Sequence, residues 1–151
     1  MFFPIIMVVL LIDQGSKAAV QVLMQQGESI AVLHPVFYLT YIVNPGAAFG
    51  ILPNQRLLFI ITGLLLAIGI LVSYRLLSPG RTALKSGLAL VLGGALGNLA
   101  DRLRYGGVVD FLDFRVWPVF NLADTAIFIG ACLLAWELLK DGRNSDKGSE
   151  Y

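Results

Sequence analysis

Four long apolar blocks dominate the sequence and restrict the folds that are open to it. A helix needs about 20 predominantly apolar residues to cross a bilayer, and blocks near this length lie at about 2–24, 57–77, 84–100 and 122–139. Of the 151 residues, 57% are apolar and 14% are charged, whereas a soluble domain carries about 25% charged residues. The sequence therefore predicts a membrane all-α bundle of four transmembrane helices, forming one domain over residues 1–140.

The first block carries a polar stripe but still reads as a transmembrane helix. Asp13, Lys17 and Gln21 are spaced four apart, so they share one helical face, and the other faces are apolar. A cleaved signal peptide would have positive charge before its apolar region, and none occurs here. We therefore expect a retained helix.

The distribution of Lys and Arg predicts the orientation of the four spans. With four spans both termini lie on one side, together with the connection after the second span. That side has six basic residues and the opposite side has four: Arg75, Arg81, Lys85, Lys140, Arg143 and Lys147 against Arg56, Arg102, Arg104 and Arg115. Because cytoplasmic loops are enriched in Lys and Arg, both termini are predicted to be cytoplasmic, with residues 141–151 forming a polar, disordered tail.

Two connecting segments then face the outside of the cell. The first contains VFYLTYIV (36–43), which is rich in β-branched and aromatic residues, followed by the turn-prone NPGAAFG (44–50). This composition predicts a short strand followed by a glycine turn. The second segment, 101–121, joins the outer ends of the third and fourth spans and is predicted to be a loop.

Three aspartates gather at this outer face. The third span ends at Asp101, the fourth begins near Asp124, and Asp110 lies in the loop between them, which turns at Pro118. If the carboxyls of Asp110 and Asp124 meet in a partly dry site, they share one proton, because two adjacent negative charges are unfavourable there. Such a pair supplies an acid and a base at once, which is the chemistry of an aspartyl peptidase.

Neighbouring polar residues fit a site of this kind. Asn98 lies three residues before Asp101, and Asn121 lies three before Asp124, so each amide shares a helical face with an acid. Each amide could orient a carboxyl or a substrate carbonyl. Arg102 is predicted to pair with Asp101.

Structural roles are open for several of these polar residues. Asn121 and Asp124 stand where a helix begins, so both could act only as caps. Asp113 reads as a solvated loop charge, and Asp13 with Lys17 as a buried structural ion pair.

Composition excludes several other functional classes. One cysteine and one histidine, Cys132 and His34, allow no internal disulfide and no multi-histidine metal site. The net charge of +1 provides no basic surface for nucleic acid. No metal or other cofactor is expected.

Five motifs, in order along the chain, closely resemble the motif set of the bacterial lipoprotein signal peptidases (signal peptidase II): DQGSK (13–17), NPGAAFG (44–50), GGALGNLADR (93–102), GGVVDF (106–111) and PVFNLADTAI (118–127). The resemblance implies an aspartyl endopeptidase of the bacterial plasma membrane. It would cut prolipoproteins just before a cysteine that carries diacylglycerol. The resemblance implies the family fold, which is four helices, an extracytoplasmic β-cradle, here at about 26–56, and a short periplasmic helix.

The same resemblance assigns roles to residues. The two catalytic aspartates fall on Asp110 and Asp124, and the supporting polar residues on Asn44, Asn98, Asp101, Arg102, Asn121, Asp13 and Lys17. The implied partners are the lipidated prolipoprotein, membrane lipids and globomycin-type cyclic peptide inhibitors, and the protein is expected to be a monomer.

The substrate's signal helix is expected among the spans, with its acyl chains directed toward lipid. Phe37, Tyr41 and Phe49 would either clamp over the substrate or pack within the cradle. Two other functional classes are open to the sequence. A Ser/Lys peptidase would use Ser16 and Lys17, which adjoin on a helix and point in different directions. A proton-coupled transporter would have acids spread through the bilayer depth.

Overall fold

The computed structural model describes residues 1–46 and 55–148, without the side chains of residues 142–148. The order of elements is α1 (Phe2–Leu23), β1 (Ser29–Leu33), β2 (Phe37–Asn44), α2 (Arg56–Leu76), α3 (Thr82–Tyr105), β3 (Val108–Asp113) and α4 (Leu122–Gly148). The predicted architecture, four helices and a small sheet, is confirmed.

All four helices are long and apolar enough to cross a membrane, α4 over Leu122–Asp141. They differ in how much of their surface other parts of the protein cover. In α3, 61% of the span is buried, against 22% in α1, 11% in α2 and 17% in the span of α4. Helix α3 is therefore the central helix, and the other three turn most of their apolar surface outward, as lipid-facing helices do.

Glycines on α3 allow its neighbours to approach closely. A Cβ at Gly94 would lie 2.8 Å from Cγ1 of Ile127 and would also clash with the backbone oxygen of Ala123 on α4. On another face of α3, a Cβ at Gly93 would lie 2.9 Å from Cβ of Val9 on α1. Small residues at helix crossings bring backbones together in membrane proteins, and here they bring α1 and α4 against the same helix.

The three strands form one antiparallel sheet in the order β1-β2-β3. Strand β2 pairs with β3 in a register that places Ile42 opposite Asp110 and Tyr38 opposite Asp113. The predicted loop around Asp110 is therefore wrong: this segment is the third strand of the cradle, which extends beyond residues 26–56. VVDFLD does not alternate between apolar and polar residues, and five of its six residues are buried, so pairing with β2 is what defines this strand.

A small apolar cluster fixes the sheet to the helices. Val20 and Met24 at the end of α1 pack with Tyr41 of β2 and with Val109 and Phe111 of β3. Val109 has no exposed surface. The sheet is thereby held over the ends of the helices, and residues of β3 are carried to the point where α3 ends and α4 begins.

Two helices extend beyond their predicted ends. Helix α3 continues five residues past residue 100 to Tyr105 and ends at Gly106, whose φ of 79° suits a left-handed cap. Helix α4 continues from the predicted 139 to Gly148, because no proline interrupts it, so it includes most of the predicted disordered tail. A further short helix is not found within 1–46 and 55–148.

Candidate active site

Polar side chains are buried together where α1, α3, β3 and α4 meet. Seven polar or charged residues are less than a tenth exposed, and all except Asp113 belong to this group: Asp13, Lys17, Asn98, Asp101, Asp110, Asp113 and Asn121. Burying such groups is costly unless each finds a partner. Throughout the described ranges, every fully buried side-chain nitrogen or oxygen has a hydrogen-bond partner.

Lys17 is the centre of this network. Its Nζ lies 2.9 Å from Oδ2 of Asp13 and 2.8 Å from Oδ2 of Asp101, and it donates to Oδ1 of Asn98 at 3.0 Å. All three ammonium hydrogens therefore have acceptors. The predicted buried ion pair of Asp13 and Lys17 is confirmed. The Ser/Lys alternative is not supported, because Ser16 donates instead to the backbone oxygen of Asp13 at 2.8 Å.

The two carboxylates of this ion cluster also hold neighbouring elements in place. Oδ1 of Asp13 accepts the backbone N–H of Ala123, in the first turn of α4, at 3.0 Å. Oδ2 of Asp101 accepts the backbone N–H of Val109 in β3 at 3.1 Å. Lys17 and its two acids thus join α1 and α3 to the elements that carry Asp110 and Asp124.

Two amides connect this cluster to the aspartates of the predicted dyad. Asn98 receives the hydrogen bond from Lys17 on its oxygen and donates from Nδ2 to Oδ1 of Asp124 at 2.8 Å. Asn121 donates from Nδ2 to Oδ1 of Asp110 at 2.7 Å and to Oδ1 of Asn98 at 3.1 Å. The carboxyls of Asp110 and Asp124 are therefore held by two amides that contact each other.

The carboxyl of Asp110 is buried on β3 and has two amide donors. Besides Asn121, Asn44 at the end of β2 donates from Nδ2 to Oδ2 at 3.2 Å. Burial, and after it the negative charge of Asp124, raises the pKa of Asp110 to about 7, against the opposing effect of the two amides. Asp110 can therefore hold or release a proton near neutral pH.

Asn121 and Asp124 also form a reciprocal cap at the start of α4. Oδ1 of Asn121 accepts the backbone N–H of Asp124 at 2.9 Å, and Oδ2 of Asp124 accepts the backbone N–H of Asn121 at 3.3 Å. Capping and contact with the site coexist, because Asn121 uses its carbonyl oxygen for the cap and its NH₂ group for Asp110.

Asp110 and Asp124 line one cavity of about 380 Å³. Asn44, Asn98 and Arg102 contribute polar groups to its wall, and the segment before α4 and the first turns of that helix contribute apolar groups, including Trp117, Pro118, Val119, Phe120, Ile127 and Phe128. A peptide bond in this cavity would meet two carboxyls and several amide donors, with apolar surface beside them.

Two predictions about individual residues need correction. Asp101 pairs with Lys17, and the guanidinium of Arg102 lies instead 4.9 Å over the ring of Phe59. Asp113 is not a solvated loop charge: it is 5% exposed and accepts a hydrogen bond from Oγ1 of Thr40 at 2.7 Å.

The aromatic residues proposed as a clamp have packing roles where they are described. Tyr41 is buried in the cluster below the sheet, and the ring of Phe37 lies 4.9 Å from that of Phe114. Neither lines the cavity. Phe49 lies outside the described residues.

Sequence reasoning did not assign Gln14 to the network. Its Nε2 donates to Asp13 at 3.0 Å, to Asp101 at 3.0 Å and to the backbone oxygen of Gly97 at 3.2 Å. The available signal was its place within DQGSK, but residue 14 is not on the face shared by residues 13 and 17.

Comparisons with known proteins agree with this architecture. The family model for Signal peptidase (SPase) II matches residues 5–140. The chain is 65% identical to the lipoprotein signal peptidase of Pelotomaculum thermopropionicum over 145 residues, which cover 96% of this chain and 95% of the relative. It is 54% identical to the lipoprotein signal peptidase of Moorella thermoacetica over 138 residues, covering 91% and 92%.

A solved structure described as a bacterial membrane enzyme superimposes with a TM-score of 0.87 at 32% identity, covering 95% of this chain and 90% of that one. A fold shared at this level, together with a family match over most of the chain, leads to one conclusion. The chain belongs to the signal peptidase II family, the membrane peptidases that cleave the signal peptides of lipoproteins.

Proposed function

We propose that the protein is an aspartyl endopeptidase in which Asp110 and Asp124 activate water. The observation that carries this proposal is that both carboxyls line one cavity and are held by two contacting amides. In the proposed reaction, the ionised carboxyl takes a proton from a water molecule, whose oxygen attacks the scissile carbonyl carbon. The protonated carboxyl donates to the carbonyl oxygen. The C–N bond then breaks, and the carboxyl that took the proton from water passes it to the leaving amine.

The substrate proposed is a prolipoprotein cut on the N-terminal side of its diacylglyceryl-modified cysteine. The cavity combines the features that such a substrate needs, because its wall contains polar groups of Asn44 and Arg102, which suit a peptide, and aromatic residues, which suit an acyl chain. Globomycin-type cyclic peptides are proposed as inhibitors that occupy the same cavity. The working unit is proposed to be a monomer, since all the aspartates and amides of the site come from one chain.

The remaining polar residues are proposed to support the two aspartates. Asn44, Asn98 and Asn121 orient the carboxyls through hydrogen bonds. Asp13, Lys17 and Asp101 form the buried ion cluster behind the amides, and Arg102 contributes positive charge to the cavity wall.

Conservative substitution of each aspartate tests the dyad. We expect Asp110→Asn and Asp124→Asn each to lower kcat by at least about 10³-fold on a lipidated prolipoprotein peptide, because an amide cannot exchange the required proton. Asp113→Asn is a matched control: it changes a buried aspartate of the same strand that contacts Thr40 and lies outside the cavity. Its kcat should stay within about threefold of the unsubstituted protein.

Thermal unfolding in detergent confirms that each variant is folded. Full cleavage by a folded Asp110→Asn or Asp124→Asn variant would exclude the dyad. A large loss in Asp113→Asn would show that the assay reports the integrity of the sheet.

A further inference from the structure

An apolar pocket adjoins the cavity of the two aspartates. It has a volume of about 590 Å³ and is lined by Phe114, Trp117, Phe120, Asp124, Thr125 and Phe128; we call it the aromatic pocket. Four of these residues also line the dyad cavity: Trp117, Phe120, Asp124 and Phe128. A group in the aromatic pocket can therefore be covalently joined to atoms at the reacting centre.

The polar atoms at the edge of the aromatic pocket are already engaged. Oγ1 of Thr125 donates to the backbone oxygen of Asn121 at 3.0 Å. The carboxyl of Asp124 accepts hydrogen bonds from Nδ2 of Asn98 and from the N–H of Asn121. Among the residues that the structure describes, the rest of the lining consists of four aromatic side chains.

This lining distinguishes between the two parts of a lipidated substrate. A peptide segment carries an N–H and a C=O at nearly every residue, and burying them without partners is costly. An acyl chain has no such groups and gains free energy from every methylene removed from water. The peptide is better matched by the dyad cavity, where Asn44, Arg102 and Asp110 stand in the wall.

The pocket also continues toward the membrane. Phe128, in its wall, is 71% exposed, and Ile129 beside it is 51% exposed, so the pocket opens on the outward side of α4. A chain longer than the pocket can run along this apolar surface into the bilayer. The volume lies within the range of ordinary ligand pockets.

We propose that the aromatic pocket binds an acyl chain of the diacylglyceryl-cysteine, with Phe128 as a specificity-determining residue. The inference rests on the proposed function, because the lipidated cysteine must lie directly after the scissile bond. Binding the chain beside Asp124 positions the peptide bond in the dyad cavity, so the protein selects lipid-modified substrates through this pocket.

Two peptides of identical sequence provide the test, one with a dipalmitoylglyceryl cysteine and one with a dibutyrylglyceryl cysteine. The purified full chain is assayed in micelles, with substrate expressed as a mole fraction of detergent. For the unsubstituted protein we expect KM to be at least about tenfold lower for the long-chain peptide. Phe128→Ala should reduce this ratio by about fivefold or more, because part of the pocket wall is lost.

Trp136→Ala is the matched control, since it removes an exposed aromatic ring from α4 about two turns further along the helix. It should leave the KM ratio unchanged. An equal ratio in Phe128→Ala and the unsubstituted protein would overturn the pocket assignment while cleavage itself remained intact. Failure of the proposed function would look different, because the unsubstituted protein would then cleave neither peptide.

Discussion

At the scale of single residues, Asn121 connects the start of a helix to the candidate site. Its side-chain oxygen caps α4 and its NH₂ group holds Asp110. Spacing in the sequence places Asn121 beside Asp124 but cannot separate the two roles, because an amide has an acceptor and a donor end that can act at once.

Pairing of the charged residues shows which contacts spacing can predict. The pair of Asp13 and Lys17 follows from a spacing of four on a helix. Adjacency in the sequence pairs Asp101 with Arg102, but adjacent helical residues point in different directions. Its partner Lys17 lies on α1, 84 positions earlier in the printed sequence, and no local pattern indicates it.

The titration of Asp110 gives a prediction about stability. With its pKa raised to about 7 by burial and by Asp124, the folded protein keeps a proton that the unfolded chain has already lost above about pH 4. The free energy of unfolding should therefore fall by up to about 1.4 kcal/mol per pH unit between these values. Below about pH 4 both states carry the proton, so Asp110 causes no change in the free energy of unfolding with pH. Above about pH 7 both states have lost the proton, and the fall in the free energy of unfolding is complete.

Asp110→Asn removes this titration, so its free energy of unfolding, relative to the unsubstituted protein, should rise as pH increases from about 4 to about 7. Denaturant titrations in micelles across this range measure the difference. A difference that does not change with pH would show that Asp110 remains ionised in the folded protein.

At the scale of the elements, long helices were predictable and the third strand was not. Each transmembrane helix is predicted by its own apolar block in the sequence. Strand β3 has only six residues and takes its partners from β2, which precedes it by two helices. Because such pairing depends on distant residues, β-propensity alone is a weak guide.

Close packing of α3 against α4 gives a prediction about the element that carries Asp124. A Cβ at Gly94 would collide with the backbone of Ala123, the residue directly before Asp124. Since a backbone atom must then move, Gly94→Ala should lower the free energy of unfolding by about 1–3 kcal/mol and also reduce kcat by shifting Asp124.

Gly69→Ala is the matched control for this substitution. Gly69 lies within α2, and nothing lies within 4 Å of the Cβ it would gain. Alanine should be neutral there or stabilise the helix by up to about 1 kcal/mol. Thermal unfolding and cleavage are measured on both variants. Equal changes in unfolding temperature and in kcat for the two variants would contradict the role of Gly94 in the α3–α4 contact.

At the scale of the whole molecule, the sheet and the candidate site lie at the same end of the helices. The segments that enter the sheet follow α1 and α3, and the site lies where α3 ends and α4 begins. The short connection after α2 lies at the other end. The sequence predicts this division, since the number of spans and the longer connections can be read from hydropathy.

The four arginines at the sheet end make intramolecular contacts. Arg56 donates to the backbone oxygen of Leu103 at 2.8 Å, and Arg104 donates to Gln14 at 2.8 Å. The guanidinium of Arg115 lies 3.7 Å over the ring of Tyr38, and Arg102 lies over Phe59. The arginines at this end therefore contact other residues of the protein. This is compatible with an extracytoplasmic position.

We accordingly expect both termini in the cytoplasm and the dyad cavity at the extracytoplasmic face of the plasma membrane. In a Cys132→Ser background, which removes the chain's one cysteine, Ser29→Cys and Ser78→Cys place single thiols at opposite ends of the bundle. Ser29 lies in β1 at the sheet end, and Ser78 lies in the connection between α2 and α3. A membrane-impermeant maleimide applied to intact cells, with an outer membrane permeabilised where one is present, should label Ser29→Cys and should reach Ser78→Cys only after lysis. Labelling of Ser78→Cys in intact cells, with Ser29→Cys protected, would reverse the orientation and place the cavity in the cytoplasm, where the lipidated cysteine of an exported protein would not meet it.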